Sequence, residues 1–196
     1  MGAEPQLNQA GTLLLALLAL VPVAEGIHGE EPAERRFAEP AVKAAFLLNF
    51  ANFTEWRAGT FSDLQDPLVI GVYGSDEVAD RLEGLIKRTP ARDNPRRVKR
   101  LKDPEEARGC HMLFVAKNDE EDALLAAVRS GGILTLGDGA DFAQRGGMIQ
   151  FIRVGETLQF DVNVVAAVEA GLRISAKVLQ LARRIIRAAK PEGARP

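Results

Sequence analysis

The chain has 196 residues, of which 46% are hydrophobic and 27% charged, and its formal net charge at pH 7 is −2. This balance predicts one folded globular domain and excludes a largely disordered chain. The small net charge gives the molecule no general attraction to nucleic acid. One cysteine and two histidines exclude an intramolecular disulfide and argue against a zinc site.

The N-terminal region has the composition of an export signal. Residues 12–24 are apolar but too few for a comfortable membrane span, and the small residues Ala24 and Gly26 suit a signal peptidase. We therefore expect a secretory signal over 1–26 and a charged, flexible leader over 27–39. The first eleven residues contain no Lys or Arg, unlike an ordinary signal, so an uncleaved N-terminal anchor is the alternative. No Cys follows the apolar run, which excludes a lipoprotein anchor.

A single domain is predicted over 40–190, with a disordered tail over 191–196. Its first helix has Pro40 in the first turn, a position that tolerates proline. The apolar side chains that follow are three or four residues apart and therefore share one helix face. These residues are Val42, Phe46, Phe50 and Phe53.

Three apolar runs in the middle of the chain have the length of strands buried on both faces. Two amphipathic segments with helix-capping residues separate them, and a short basic segment is typical of an edge strand. The runs are "PLVIGVYG", "CHMLFVAK" and "GILTLGD", the helical segments are "SDEVADRLEGLIKR" and "DEEDALLAAVRSGG", and the edge segment is "RRVKRL". Alternating strands and helices predict a mainly parallel sheet covered on both faces.

The pattern changes in the last third of the chain. Residues 147–154 and 157–163 alternate and are joined by a two-residue turn, which predicts an antiparallel hairpin. A final helix is expected to begin near Val164, to break at Gly171 and to resume over 175–189. The predicted fold class is therefore α/β: a three-layer sandwich with a mainly parallel central sheet, a C-terminal antiparallel hairpin and flanking helices.

Two turns at the carboxyl ends of predicted strands are candidate ligand sites. Gly74 and Ser75 link a strand to a helix N-terminus, where ligands bind in parallel sheets and anions are favoured. Asp138 and Asp141 follow another strand, and paired carboxylates could hold a metal or transfer protons. The alternatives are a tight glycine turn and a helix-capping aspartate. We favour these, and predict neither a metal nor a cofactor.

No catalytic constellation is visible. The serines lack a nucleophile-elbow context, and His111 is embedded in an apolar run. Without a nucleophile, base and orienting residue in any recognisable set, we predict that the protein is not an enzyme.

Five motifs from Ala41 onward, in order, resemble the YfiR-like family of periplasmic regulatory proteins. They are "AVKAAFLLNFANFTEW", "LVIGVYGSDEVADRLEGLI", "CHMLFVAK", "ILTLGDGADFAQRGGMIQF" and "LQFDVNVVAAVEAGLRISAKVLQLARRI". The resemblance implies a periplasmic protein that binds the periplasmic domain of an inner-membrane diguanylate cyclase and represses it, lowering cyclic di-GMP and biofilm formation. It also implies sequestration by an outer-membrane lipoprotein and a homodimer.

Two points of this interpretation stay open. The resemblance implies a response to redox state through disulfides, whereas Cys110 is the only cysteine of this chain, so only pairing between two molecules would be possible. The target is the second point, because a periplasmic small-molecule-binding sensor acting on a histidine kinase or transporter is the alternative function. Such a sensor would use the strand ends at Gly74, Ser75, Asp138 and Asp141.

The hairpin and the helix break are the predicted partner surface. An apolar centre with a charged rim suits a regulated interface. The candidates are Phe151, Phe160 and Ile174 for the centre and Arg153, Glu169 and Arg173 for the rim. The alternative for the two phenylalanines is closure of the core.

Overall fold

The computed structural model describes residues 33–188 except 90, 92 and 130, and side chains from residue 39 onward. The predicted signal over 1–26 and tail over 191–196 lie outside these residues. In chain order the elements are α1 (Ala33–Asn52), β1 (Thr54–Glu55), β2 (Leu68–Tyr73), α2 (Asp76–Arg88), β3 (Arg96–Leu101), a 3-10 helix (Pro104–Gly109), β4 (Met112–Val115), α3 (Glu121–Val128), β5 (Leu134–Gly137), β6 (Ile149–Val154), β7 (Thr157–Asn163), α4 (Val164–Glu169), β8 (Arg173–Ile174), α5 (Ala176–Leu181) and β9 (Arg184–Ile186).

A seven-stranded sheet in the order β3-β2-β4-β5-β6-β7-β9 forms the middle layer. All neighbouring strands are parallel except β6 and β7, which form the antiparallel hairpin. The strands β4 and β5 are buried along their whole length, as expected where helices cover both faces of a parallel sheet. The predicted fold class, a three-layer α/β sandwich, is confirmed.

Two hydrophobic cores lie on opposite faces of the sheet. The larger core joins α1, α2, α4 and α5 to one face, and the smaller core joins the 3-10 helix and α3 to the other. In the larger core Phe46 and Phe50 of α1 pack against Phe151 and Phe160 of the hairpin, with ring centroids 5.0–6.2 Å apart. Such offset and edge-on pairs add to the energy of area burial.

The first helix begins earlier than the sequence predicted. It starts at Ala33, so residues 33–39 of the expected leader belong to its first two turns, and Pro40 lies inside the helix. Ala, Glu and Arg are strong helix formers, and Glu39 pairs with Lys43 one turn later at 2.7 Å, a spacing that supports a helix. These contributions offset the hydrogen bond that Pro40 removes.

The predicted final helix is wrong in its second half. It ends at Leu181, and Arg184–Ile186 form β9, an edge strand parallel to β7. Asp161 of β7 is fully buried and binds the guanidinium groups of Arg183 and Arg184 at 2.7–2.9 Å. This long-range pairing, together with β-branched Ile185 and Ile186, holds the segment extended. The two-stranded antiparallel sheet of β1 and β8 was not predicted from the sequence.

Candidate functional site

The predicted ligand residues lie at the carboxyl-terminal edge of the sheet, where β2, β4 and β5 end. Gly74 has a φ of 79°, a left-handed conformation that favours glycine. The Ser75 hydroxyl accepts a hydrogen bond from the Val78 amide at 3.3 Å and so caps α2. Both residues therefore have local structural roles, as the alternative interpretation held.

Asp138, which follows β5, forms hydrogen bonds to α1 and to the segment after β4. One carboxylate oxygen accepts a hydrogen bond from Lys43 Nζ of α1 at 2.5 Å, and the other accepts from the Lys117 amide after β4 at 2.5 Å. Burial lowers the pKa of Lys43, but its hydrogen bonds to Asp138 and Glu39 outweigh that effect, so the pKa is raised. Lys43 is charged and paired at neutral pH, and both oxygens of Asp138 are occupied by protein groups.

Asp141 contributes to the turn through its backbone. It is exposed, has a φ of 55° and lies in the turn between β5 and β6, where its carbonyl accepts a hydrogen bond from the Arg145 amide. Within the described residues, no three His, Cys, Asp or Glu side chains come close enough together to hold a metal ion.

The structure buries the apolar centre of the predicted partner surface. Phe151, Phe160 and Ile174 have exposed fractions of 2%, 3% and 7%. The two phenylalanines close the larger core, which is the alternative that the sequence left open. Their rings contact α1, so they are not available to a second protein in this conformation.

The charged residues of the predicted rim are exposed but divide into two groups. Glu169 and Arg173 flank the turn between α4 and β8, and Arg173 lies 3.7 Å from Glu55. Arg153 lies at the far end of the hairpin, opposite Leu158 and 3.5 Å from Glu39. Five residues of β7 lie between Leu158 and the start of α4, a span of roughly 20 Å, so Arg153 is not grouped with the other two.

A concave region lies at the opposite, amino-terminal edge of the sheet, and no pattern in the sequence indicated it. Four segments meet there, namely the end of the 3-10 helix before β4 and the loops before β5, after β1 and before β8, and they line an open cavity of about 430 Å³. His111 and Cys110 line it. Burial lowers the pKa of His111, partly opposed by Asp66, so the ring is neutral near pH 7.

The environment of Cys110 disfavours redox chemistry. The residue is 5% exposed, and burial is the main cause of the raised pKa of its thiol. A Cβ on Gly71 would lie 2.7 Å from the Cys110 sulfur, so glycine there makes room for the thiol. A protonated, shielded thiol reacts slowly with a second thiol.

The family model described as YfiR/HmsC-like (DUF4154) matches residues 40–183. The chain belongs to the YfiR/HmsC-like family. The matched region of this YfiR/HmsC-like chain runs from the third turn of α1 to the residue before β9 and contains every candidate site residue considered above.

No curated protein matches the chain significantly. Among solved structures, it is similar to a conserved domain protein from Vibrio cholerae O1 biovar eltor str. N16961, with 14% identity, a TM-score of 0.49 and coverage of 74% of this chain and 60% of the other. It is also similar to an ABC domain in complex with L-Trp from Streptococcus pneumonia, with 12% identity, a TM-score of 0.43 and coverage of 75% and 60%. The chain thus spans 60% of the length of each.

Within the described part of the chain, no helix is both long and apolar enough to cross a bilayer.

Proposed function

We propose that this YfiR/HmsC-like chain is a periplasmic, non-enzymatic regulator that binds the periplasmic domain of an inner-membrane signalling protein. Its target is a diguanylate cyclase, which it holds inactive, so that it lowers cyclic di-GMP and biofilm output. The observation that carries this proposal is the family match over 40–183. Sequestration by an outer-membrane lipoprotein and homodimer formation are parts of the same proposal.

The exposed unit formed by α4, its following turn and β8 supports a partner surface on this side of the domain. Val168 is 71% exposed although it is apolar, and Glu169 and Arg173 are exposed beside it. The Gly171 amide donates to the Val168 carbonyl and the Leu172 amide to the Ala167 carbonyl, at 2.9 and 2.8 Å, which fixes the turn. We call Val168, Glu169 and Arg173 the α4–β8 surface; it combines one exposed apolar side chain with two charged ones.

Intracellular cyclic di-GMP, measured with and without the gene, tests the function. We expect a rise on deletion that is reversed by the full chain but not by a chain lacking residues 1–26. An unchanged level, in cells shown to make the protein, would contradict a role in cyclase repression and favour the alternative of a sensor acting on a histidine kinase or transporter.

Charge reversal tests the surface. Glu169→Lys and Arg173→Glu are expected to weaken repression without loss of folding, because both side chains are exposed. Glu77→Lys and Arg81→Glu, at exposed positions of α2, are matched controls that keep full repression. Full repression by both α4–β8 variants would refute this placement.

A further inference from the structure

The cavity at the amino-terminal edge of the sheet is open to solvent and is lined by segments from four parts of the chain. Its volume of about 430 Å³ lies within the range of small-molecule sites. It is bordered by the starts of the central strands β4 and β5, so the rigid sheet forms its base. The lining residues are Arg57, Thr60, Arg108, Gly109, Cys110, His111, Gly131, Gly132 and Leu172.

The charge of this lining is positive. Arg57 and Arg108 contribute two guanidinium groups, and none of the lining residues given above is Asp or Glu. Arg108 is paired with the exposed Glu105 through both terminal nitrogens, at 3.0 and 3.2 Å, whereas no carboxylate among the described residues pairs with Arg57. Guanidinium groups present several hydrogen-bond donors in a fixed planar arrangement that matches carboxylate and phosphate oxygens.

His111 also lines this cavity, and its ring is neutral. Its Nδ1 accepts a hydrogen bond from the Val69 amide at 3.0 Å, so the proton of the neutral ring is on Nε2. The imidazole ring packs against the ring of Phe61, with centroids 4.8 Å apart. The backbone carbonyl of His111 accepts a hydrogen bond from Trp56 Nε1 at 3.3 Å. The tautomer and the orientation of this donor are therefore set by contacts outside the cavity.

Gly171 positions Arg57. Its φ is 76°, and a Cβ at this position would lie 2.5 Å from Nη2 and 2.9 Å from Nε of Arg57. The guanidinium group thus rests directly on the backbone of the turn before β8. The helix break that the sequence placed at Gly171 has a structural consequence: it lets a cationic side chain approach the cavity wall.

We propose that this cavity binds a small oxyanion, a carboxylate or a phosphate, through Arg57, Arg108 and His111. Two guanidinium groups supply charge-assisted hydrogen bonds and His111 Nε2 supplies a neutral one. Leu172 offers the one large apolar side chain of the lining, so the ligand carries little more than its anionic group. The proposal goes beyond the regulatory function and does not depend on it.

Titration calorimetry on the full chain, with inorganic phosphate and separately with succinate as probes, tests the site. Sodium chloride at equal ionic strength is the blank, because exposed charges respond to salt alone. We expect saturable binding of one or both probes. Tighter binding of phosphate identifies a phosphate ligand, and tighter binding of succinate identifies a carboxylate ligand.

Arg57→Gln and Arg108→Gln are each expected to weaken binding about tenfold. Both side chains are exposed, so the variants keep the fold. Arg81→Gln removes an exposed arginine of α2 that is not part of this lining and is expected to leave binding unchanged. Gly171→Ala weakens binding with Arg57 still present, because the added methyl group displaces its guanidinium.

Two results would overturn the proposal. One is the absence of saturable heat with both probes in the unchanged protein. The other is equal binding by the Arg57→Gln, Arg108→Gln and Arg81→Gln variants, which would assign the heat to non-specific ion binding. Neither result bears on cyclic di-GMP repression, so this proposal and the regulatory one fail separately.

Discussion

The pair of Lys43 and Asp138 gives the sharpest test of how the first helix is held to the sheet. Their side chains are 11% and 19% exposed and their charged atoms lie 2.5 Å apart. Lys43→Met removes the cation, and Asp138→Asn removes the anion but keeps an oxygen for the Lys117 amide. The two single variants and the double variant form a double-mutant cycle, which isolates the energy of the pair itself.

We expect a coupling free energy of about 2 kcal/mol, since hydrogen bonds to charged groups contribute about 1.5–3 kcal/mol. Lys43 retains Glu39 when Asp138 is neutralised, which keeps the loss in Asp138→Asn near the lower end of that range. For a domain of this size each kcal/mol corresponds to about 2–4 °C in melting temperature. Urea unfolding, analysed with a common slope, measures the four free energies of unfolding.

The exposed pair of Arg108 and Glu105, with side chains 65% exposed on both partners, is the control cycle. Its coupling should stay below about 0.5 kcal/mol. A coupling between Lys43 and Asp138 as small as that of the control would refute the reasoning. Asp138 would then be free of its structural role, and a ligand at the carboxyl-terminal edge would become the better interpretation.

Three further outcomes are expected. The pKa of His111 is lowered by folding, so the unfolded chain takes up the proton first. The stability from His111 is present above the ordinary pKa of 6.5 and is lost as pH falls through the folded value; thermal unfolding across this range should show a smaller decline in His111→Gln. Asp161→Asn should lower the free energy of unfolding by about 2 kcal/mol, which is less than the loss expected for a fully buried ion pair, because Arg183 and Arg184 reach solvent. Unchanged amide-exchange protection in β9 would contradict this prediction. Gly147→Ala should lower the free energy of unfolding by about 1–3 kcal/mol, because the added Cβ would lie 2.2 Å from the buried ring of Phe142. Gly109→Ala is the control and should leave stability unchanged, because no atom lies within 4 Å of the added Cβ. Equal unfolding midpoints for the two variants would refute the packing argument.

Local pattern was sufficient to predict the central layer of the fold. The strands β2, β4 and β5 are continuous apolar runs, and a run of that length bounded by Pro, Gly or charged residues has few alternatives in a soluble domain. The capping residue Ser75 and the acidic first turn of α2 also act through neighbours in sequence. These elements are predictable because the interactions that define them are local.

The wrong or missed elements depend on distant residues. Residues 182–189 have helix-forming composition, and the buried carboxylate of Asp161 in β7, which is distant in sequence, binds Arg184 where the chain is extended. Alternation in the hairpin predicts that Phe151 and Phe160 share a face, but not that α1 covers that face. The cavity could not be predicted from the sequence for the same reason, because Arg57 follows β1, Arg108 belongs to the 3-10 helix about fifty residues later, and no motif joins them.

Gly171 lies between the two proposed sites, which leads to a last prediction. Its backbone contacts the Arg57 guanidinium at the cavity, and its amide is bonded to the carbonyl of Val168 on the α4–β8 surface. An oxyanion bound by Arg57 is therefore connected through that guanidinium group to the turn that holds Val168 and Arg173. If the two sites are coupled, saturating phosphate or succinate changes the affinity for the partner domain, and the partner changes the affinity for the oxyanion by the same factor. Calorimetry of each ligand, with and without the other, measures both factors. Equal affinities in all four titrations would show that the turn does not connect the sites, and Arg57→Gln should abolish any coupling that is found, because it removes the group that contacts Gly171.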